Sequence, residues 1–329
     1  MIRDPYNSGL RPPRNNIDLL RFVLAAMVVL FHTYVLSGSP PLRAALGWAD
    51  GQRAVLGFFA ISGYAVSLSW LRLDARQYFT HRARRLLPGY FAVVLCCWLA
   101  GSALTSLPAV EYWRNWETWR YLAANLTFTQ FLGPSLPGVF TANPCGNAVN
   151  GSLWSIRTEI FCYVILPGIA GARWRALALI ALCLGVSVWE PSFVGHDLWA
   201  TLRRGLFYPV TSFAVGATLA QAKRLHIGLL GVAGALVLAV GFPWRWGLEP
   251  LAVAAVVLAL AVAIPALGRW TELGNLSYGM YLWHFPVIQV LCLHANSPWM
   301  FFAATVVTTL GLAILSWNGI EERFLKRVR

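Results

Sequence analysis

About ten apolar runs, each near the roughly 20 residues that a helix needs to cross a bilayer, constrain this chain more than any other feature. They fall at about 17–37, 54–72, 86–106, 152–170, 174–190, 204–221, 226–243, 249–267, 276–294 and 298–319. With 58% hydrophobic and only 12% charged residues among 329, a soluble globule would lack the charge to cover its own surface. The expectation is all-α: a polytopic transmembrane bundle of about ten helices, forming a single membrane-embedded domain over residues 1–329. Trp119–Leu132 is too short and too polar for a clear span and reads as a re-entrant or interfacial segment, with an eleventh crossing left open.

The net charge of +13 raises nucleic acid as a partner, but the basic residues stand between apolar runs rather than on one soluble face. Positive-inside bias accounts for them. With the N-terminus in the cytoplasm, Arg3, Arg11, Arg14, Arg72, Arg76, Arg82, Arg84, Arg85, Arg173, Arg175, Lys223, Arg224, Arg269, Arg323, Lys326, Arg327 and Arg329 lie inside. Only Arg43, Arg53, Arg114, Arg120, Arg203, Arg204 and Arg245 lie outside, so both termini are expected in the cytoplasm. The first run follows a polar, Pro-containing tail and carries charge, unlike a cleavable signal, and neither end suggests an appended soluble domain. Cys96, Cys97, Cys162, Cys183 and Cys292 lie in apolar runs and Cys145 stands alone in a loop, so no disulfide or metal-ligand spacing is expected.

Charge inside hydrocarbon is costly and marks candidate functional sites. The first run holds Asp18, Arg21 and His32. At about 100° per residue, the step from Arg21 to His32 returns to within about 20° of one face, about 16 Å along the axis. One helix thus carries a cation near one membrane surface and an imidazole near the other. Asp18 is spaced for an (i, i+3) pair with Arg21.

Four further motifs each have a packing reading beside a chemical one. Gly57-Phe58-Phe59-Ala60-Ile61-Ser62-Gly63-Tyr64 mixes small residues and aromatics; it suits close helix packing, or Ser62 leaves room for a substrate arm. His81-Arg82-Ala83-Arg84-Arg85-Leu86-Leu87-Pro88 is ordinary loop charge, or sets Arg82 and Arg85 on one helical face to grip phosphate oxygens bidentately. Ser152, Ser155, Glu159 and Tyr163 recur at helical steps and form one polar stripe, while Arg157 points elsewhere. Ser277, Tyr281 and His284 share a face in Leu273–Pro286, with His284 either structural or a participant.

Taken in order, these five motifs resemble the acyltransferase-three family of bacterial membrane O-acyltransferases, from about Asn15 to about Glu321. The family's Arg-then-ten-then-His pattern falls on Arg21 and His32, its Arg-x-x-Arg pattern on Arg82 and Arg85, and its Ser-Leu-Trp-Ser-x-x-x-Glu pattern on Ser152 to Glu159. Its Phe-Phe-x-x-Ser-Gly pattern falls on Phe58 to Gly63 and its Tyr-Leu-Trp-His pattern on Tyr281 to His284. Leu19-Leu20 departs where a Gly often precedes the Leu-Arg pair, and Ala60-Ile61 where bulkier aliphatics are common. The extra esterase-like domain of some members is not matched.

The resemblance implies acyl transfer, most often of acetyl, from a cytoplasmic coenzyme A thioester to a hydroxyl of a cell-surface glycan or lipid-linked saccharide. It implies a bacterial cytoplasmic (inner) membrane location, contact with membrane lipid, no nucleic acid partner, no metal, and acyl-CoA (acetyl-CoA first) as co-substrate rather than a tightly bound cofactor. A sugar hydroxyl needs a general base, and imidazole is the usual one at neutral pH. That role falls to His32, with Glu159 expected to hold the imidazole or stabilise its charge. Arg82 and Arg85 are expected to bind the coenzyme A phosphates, helped by Arg84, with Arg21 extending the cationic path or pairing with Asp18. Ser62, Ser155, Tyr281 and His284 are expected to support the site. Direct transfer and an acyl-enzyme both stay open. A transporter or exporter of a glycan or lipid-linked substrate is the alternative, and a non-catalytic scaffold a third.

Overall fold

The computed structural model describes residues 15–144, 146–189, 196–240, 247–268, 270–293 and 297–326. Cys145, Arg3, Arg11, Arg14, Arg245, Arg269, Arg327 and Arg329 lie outside the described residues. Among the described residues the regular structure is all helical, with a single isolated bridge between Ser135 and Ala148 in place of any strand. In chain order the helices are α1 (Ile17–Ser37), α2 (Pro40–Leu46), α3 (Gly51–Trp70), α4 (Ala75–Leu104), α5 (Ala109–Arg114), α6 (Trp116–Leu126), α7 (Trp154–Ile169), α8 (Arg173–Val188), α9 (His196–Leu202), α10 (Tyr208–Leu219), α11 (Arg224–Ala239), α12 (Glu249–Leu258), α13 (Thr271–Cys292), α14 (Pro298–Ser316) and α15 (Glu322–Lys326). Four described stretches are long and apolar enough to cross a membrane: Ile17–Ser37, Gly51–Trp70, Ala75–Leu104 and Pro298–Leu325.

Every apolar run coincides with helix, but several are interrupted. Wide π-type turns occupy Arg203–Phe207, Ala259–Ala263 and Trp317–Glu321. The run expected at 86–106 is the inner part of a 30-residue helix. That helix starts earlier because Asp74 accepts from the Gln77 amide at 2.8 Å while the Gln77 side chain accepts from the Asp74 amide at 3.3 Å. This reciprocal cap carries the arginine cluster up onto the helix instead of leaving it in a loop.

Small residues set the closest helix contacts. A Cβ on Gly63 would stand 2.0 Å from the Phe213 carbonyl oxygen, and one on Gly216 would stand 2.1 Å from that of Ala60. The two glycines lock α3 against α10, as small residues do where lipid offers no hydrophobic drive. Similarly, Gly274 lets α13 reach α1, because its Cβ would lie 2.6 Å from the Asp18 Cβ. The pair α1 and α13 runs parallel: Asp18 meets Gly274 at one end and the Cys292 thiol reaches the Leu36 carbonyl at the other.

Residues 127–153 form no spanning helix. Their buried amides fasten them into the bundle: Asn143 donates to the Gln289 side chain at 2.7 Å, Gln289 donates to the Ala148 carbonyl at 2.8 Å, and Asn150 donates to the Leu282 carbonyl at 2.9 Å. The segment after Trp119–Leu132 is therefore a strap held by α13. The expected polar, short character of 119–132 resolves into α6 and a 3-10 turn at Gln130–Leu132.

Candidate functional site

The site grows out of α4. Its cap places Arg82 and Arg85 in the second and third turns, facing α7 and α13. The Arg82 guanidinium lies over the Tyr163 ring at 5.9 Å from its centroid, and that of Arg85 lies over Tyr278 at 6.0 Å and Trp317 at 5.5 Å. Aromatic faces hold cations without neutralising them. Among the described residues neither arginine has a carboxylate within ion-pair distance, and Arg82 Nε is enclosed with no hydrogen-bond partner. Arg21 of α1 is likewise without an ion pair, so the expected bridge to Asp18 does not form. Asp18 instead packs against the backbone at Gly274.

These side chains border one cavity of about 410 Å³. Arg21, His81, Arg82, Arg84 and Arg85 line it together with Glu159, its one lining carboxylate. Ser62, Ser155, Tyr163, Ser277, Tyr278 and Tyr281 add hydroxyls, and Val55, Phe58 and Phe59 add apolar wall. Four of the expected donor-binding arginines thus meet in one space, alongside Ser62, Ser155 and Tyr281. Arg157, on the far face of α7, lies over the Phe131 ring at 5.0 Å and stays outside the cavity.

Glu159 is not where the resemblance led us to expect it. It accepts a hydrogen bond from the Tyr163 hydroxyl one turn along α7 and a long one, 3.5 Å, from Ser62. The imidazoles lie beyond the Tyr281 ring, so Glu159 holds the cavity wall rather than a histidine. At the inner end, the Ser155 and Tyr281 hydroxyls stand 2.7 Å apart and the Tyr281 hydroxyl donates to the Ser152 carbonyl at 3.0 Å. The Phe58 and Tyr281 rings meet at 6.1 Å and close the floor.

Behind that floor, the Tyr281 ring lies 5.8 Å from His284, and the His284 ring 5.0 Å from His32. His284 Nε2 approaches His32 Nδ1 to 3.0 Å. His284 is fully buried, whereas His32 keeps accessible surface. The two histidines of the first and last motifs are therefore direct partners, a contact between helices that spacing within one helix cannot reveal.

Three contributors were given no role by the motif reading. Tyr163 bonds Glu159 and stacks on Arg82; Tyr278 stacks on Arg85 and donates to the Leu86 carbonyl at 2.6 Å. Glu321, buried beside Arg85, accepts from Ser316 at 2.9 Å and leaves its other oxygen unpartnered. Its charge at the end of an apolar run was the available signal.

No solved structure matches the chain. A family model described as an acyltransferase domain matches residues 14–317. An O-acetyl transferase of Shigella phage Sf6 is 31% identical over 95% of this chain and 96% of its own length. Nodulation protein 10 of Rhizobium leguminosarum is 26% identical over 98% and 96% respectively. A putative peptidoglycan O-acetyltransferase of Bacillus subtilis is 28% identical over 84% of this chain, which spans only 51% of that protein. The match embraces all five motifs and the helices that bring them together, and the chain belongs to the acyltransferase-three family of membrane O-acyltransferases, enzymes that move acyl groups other than aminoacyl groups.

Proposed function

We propose that this protein transfers an acyl group, acetyl first, from cytoplasmic acyl-CoA to a hydroxyl of a cell-surface glycan or lipid-linked saccharide. The observation that carries the reading is the cavity itself: among the described residues Arg21, Arg82 and Arg85 border it with no carboxylate at ion-pair distance, Arg82 Nε is enclosed without a hydrogen-bond partner, and an enclosed donor lacking an acceptor is costly unless an anion completes it. The coenzyme A phosphates are such an anion, and guanidinium forks suit them. The pantetheine arm then follows the apolar wall toward Phe58, Ser155 and Tyr281. His32, about 16 Å along α1 from Arg21, stands behind the Phe58 and Tyr281 rings and outside the cavity lining, so those rings part for the thioester carbonyl to reach it.

In the proposed step, His32 Nε2 removes the acceptor hydroxyl proton as the oxygen attacks the thioester carbonyl carbon. The carbon–sulfur bond then breaks, the ester forms, and the sulfur leaves with the proton returned by His32 as free coenzyme A. With no activated nucleophile in the cavity, transfer is direct. The bundle crosses the bacterial cytoplasmic membrane about ten times as one domain with both termini inside, so a cytosolic donor serves an acceptor on the other face. The relative named as a putative peptidoglycan O-acetyltransferase supports this acceptor class, and the Shigella phage Sf6 O-acetyl transferase supports acetyl as the group moved.

The test is coenzyme A release from acetyl-CoA by wild type and His32→Ala in liposomes with a panel of surface glycans. Glycan-dependent release by wild type alone is expected. Transport of glycan without thioester consumption would replace this reading with an exporter.

A further inference from the structure

His284 bears on how a neutral imidazole is made ready to accept a proton. Its Nδ1 lies 3.1 Å from the Met280 carbonyl oxygen, one turn back on α13. A carbonyl oxygen only accepts, so Nδ1 carries the hydrogen, and in the neutral ring Nε2 is then a bare acceptor. That acceptor faces His32 Nδ1 at 3.0 Å. His32 Nδ1 also lies 3.2 Å from the Val28 carbonyl oxygen, a second group that only accepts. Both neighbours therefore require the hydrogen of His32 on Nδ1, shared between them. The consequence is a bare Nε2 on His32, which has no hydrogen-bond partner among the described residues.

The opposite assignment fails at both ends. A hydrogen on His284 Nε2 would leave a neutral His284 with a lone pair against the Met280 carbonyl. It would also force the His32 Nδ1 lone pair against the Val28 carbonyl. The rings cannot exchange roles either, because His284 is sealed on all sides and only His32 keeps accessible surface. Phe285 and Phe31 pack edge-on to His32 at 5.3 and 5.1 Å and limit its rotation.

We infer that His284 is a positioning residue that selects the Nδ1–H tautomer of His32 and accepts from that hydrogen when Nε2 takes up the acceptor proton. It does for His32 what a carboxylate does for the base of a serine hydrolase, without placing a permanent charge in the membrane. This rests on the reading of His32 as the base, although the tautomer itself does not.

The experiment uses full-length protein with ¹⁵N-labelled histidine in lipid nanodiscs. Ring-nitrogen NMR reports the tautomer, and coenzyme A release from acetyl-CoA reports turnover. Wild type is expected to show His32 with Nδ1 protonated and Nε2 bare. His284→Phe, which removes the acceptor, is expected to redistribute His32 toward the Nε2–H form. Its kcat should fall about 10²-fold or more, as for loss of an orienting partner, with KM for acetyl-CoA unchanged. His284→Gln, whose amide can accept from His32 and donate to Met280, is expected to restore the tautomer and most of kcat. A wild-type His32 protonated on Nε2, or a folded His284→Phe protein with the wild-type tautomer, overturns the inference. Turnover retained in His32→Ala would instead overturn the base assignment and leave the tautomer result standing.

Discussion

The cavity and the strap over α13 handle buried polarity in opposite ways. In the strap, Asn143, Gln289 and Asn150 spend their amides on one another and on backbone carbonyls. In the cavity, Arg82 and Arg85 lie over aromatic rings, and among the described residues neither they nor Arg21 has an ion pair. A satisfied network specifies one arrangement. An unsatisfied cationic one is, on the proposed reading, a place for an anion the chain does not supply. The two regions share α13, so the same helix anchors the strap through Gln289 and presents Tyr278 and Tyr281 to the cavity.

The largest effect should come from the group behind the cavity floor. His32→Ala is expected to lower kcat by about 10²–10⁴-fold, the usual worth of a general base, with an unchanged thermal unfolding profile. Next, Arg82→Ala or Arg85→Ala should raise KM for acyl-CoA roughly 10- to 100-fold, the equivalent of one charge-assisted contact. Lysine at position 82 should recover part of it, as a point charge without the fork. Loss of folded protein with unchanged KM would erase the contrast, making these arginines structural.

Gln289→Ala should do the reverse, costing about 1–3 kcal/mol of stability through the stranded Asn143 and Ala148 partners while leaving KM for the donor alone. Thermal unfolding and kinetics on the same sample separate the two outcomes. The smallest effect should be that of Asp18→Asn: with no ion pair to lose, KM should move less than about threefold, in line with weak charge pairs. A larger change would show that Asp18 acts on Arg21 at a distance.

The helices were legible because hydrocarbon demands about 20 apolar residues per crossing, and the Arg82/Arg85 spacing was legible because both residues lie within one helix. What joins different helices was not. The pairing of His32 with His284 depends on α1 and α13 lying parallel, which Gly274 permits through close approach to Asp18. Spacing alone gives no hint of that partner. The same limit applies to Glu159, whose place on a polar stripe with Tyr163 was readable while its approach to Ser62, rather than to an imidazole, was decided by how α7 faces α3. The strap was hidden for another reason: its helix-poor chain is held by side-chain amides whose acceptors lie up to 146 residues away.

The histidine pair joins residues 252 positions apart, which has a consequence for biogenesis. Chains emerge and insert from the N-terminus, so α1, α3 and α4 reach the membrane, complete with Arg21, Arg82 and Arg85, long before α13 exists. A half-made protein therefore holds the arginines proposed to bind the donor while His32 still lacks its neighbour His284. On the proposed reading, chemistry would wait for the last helices, and a truncated or stalled chain would be spared from squandering thioester on water.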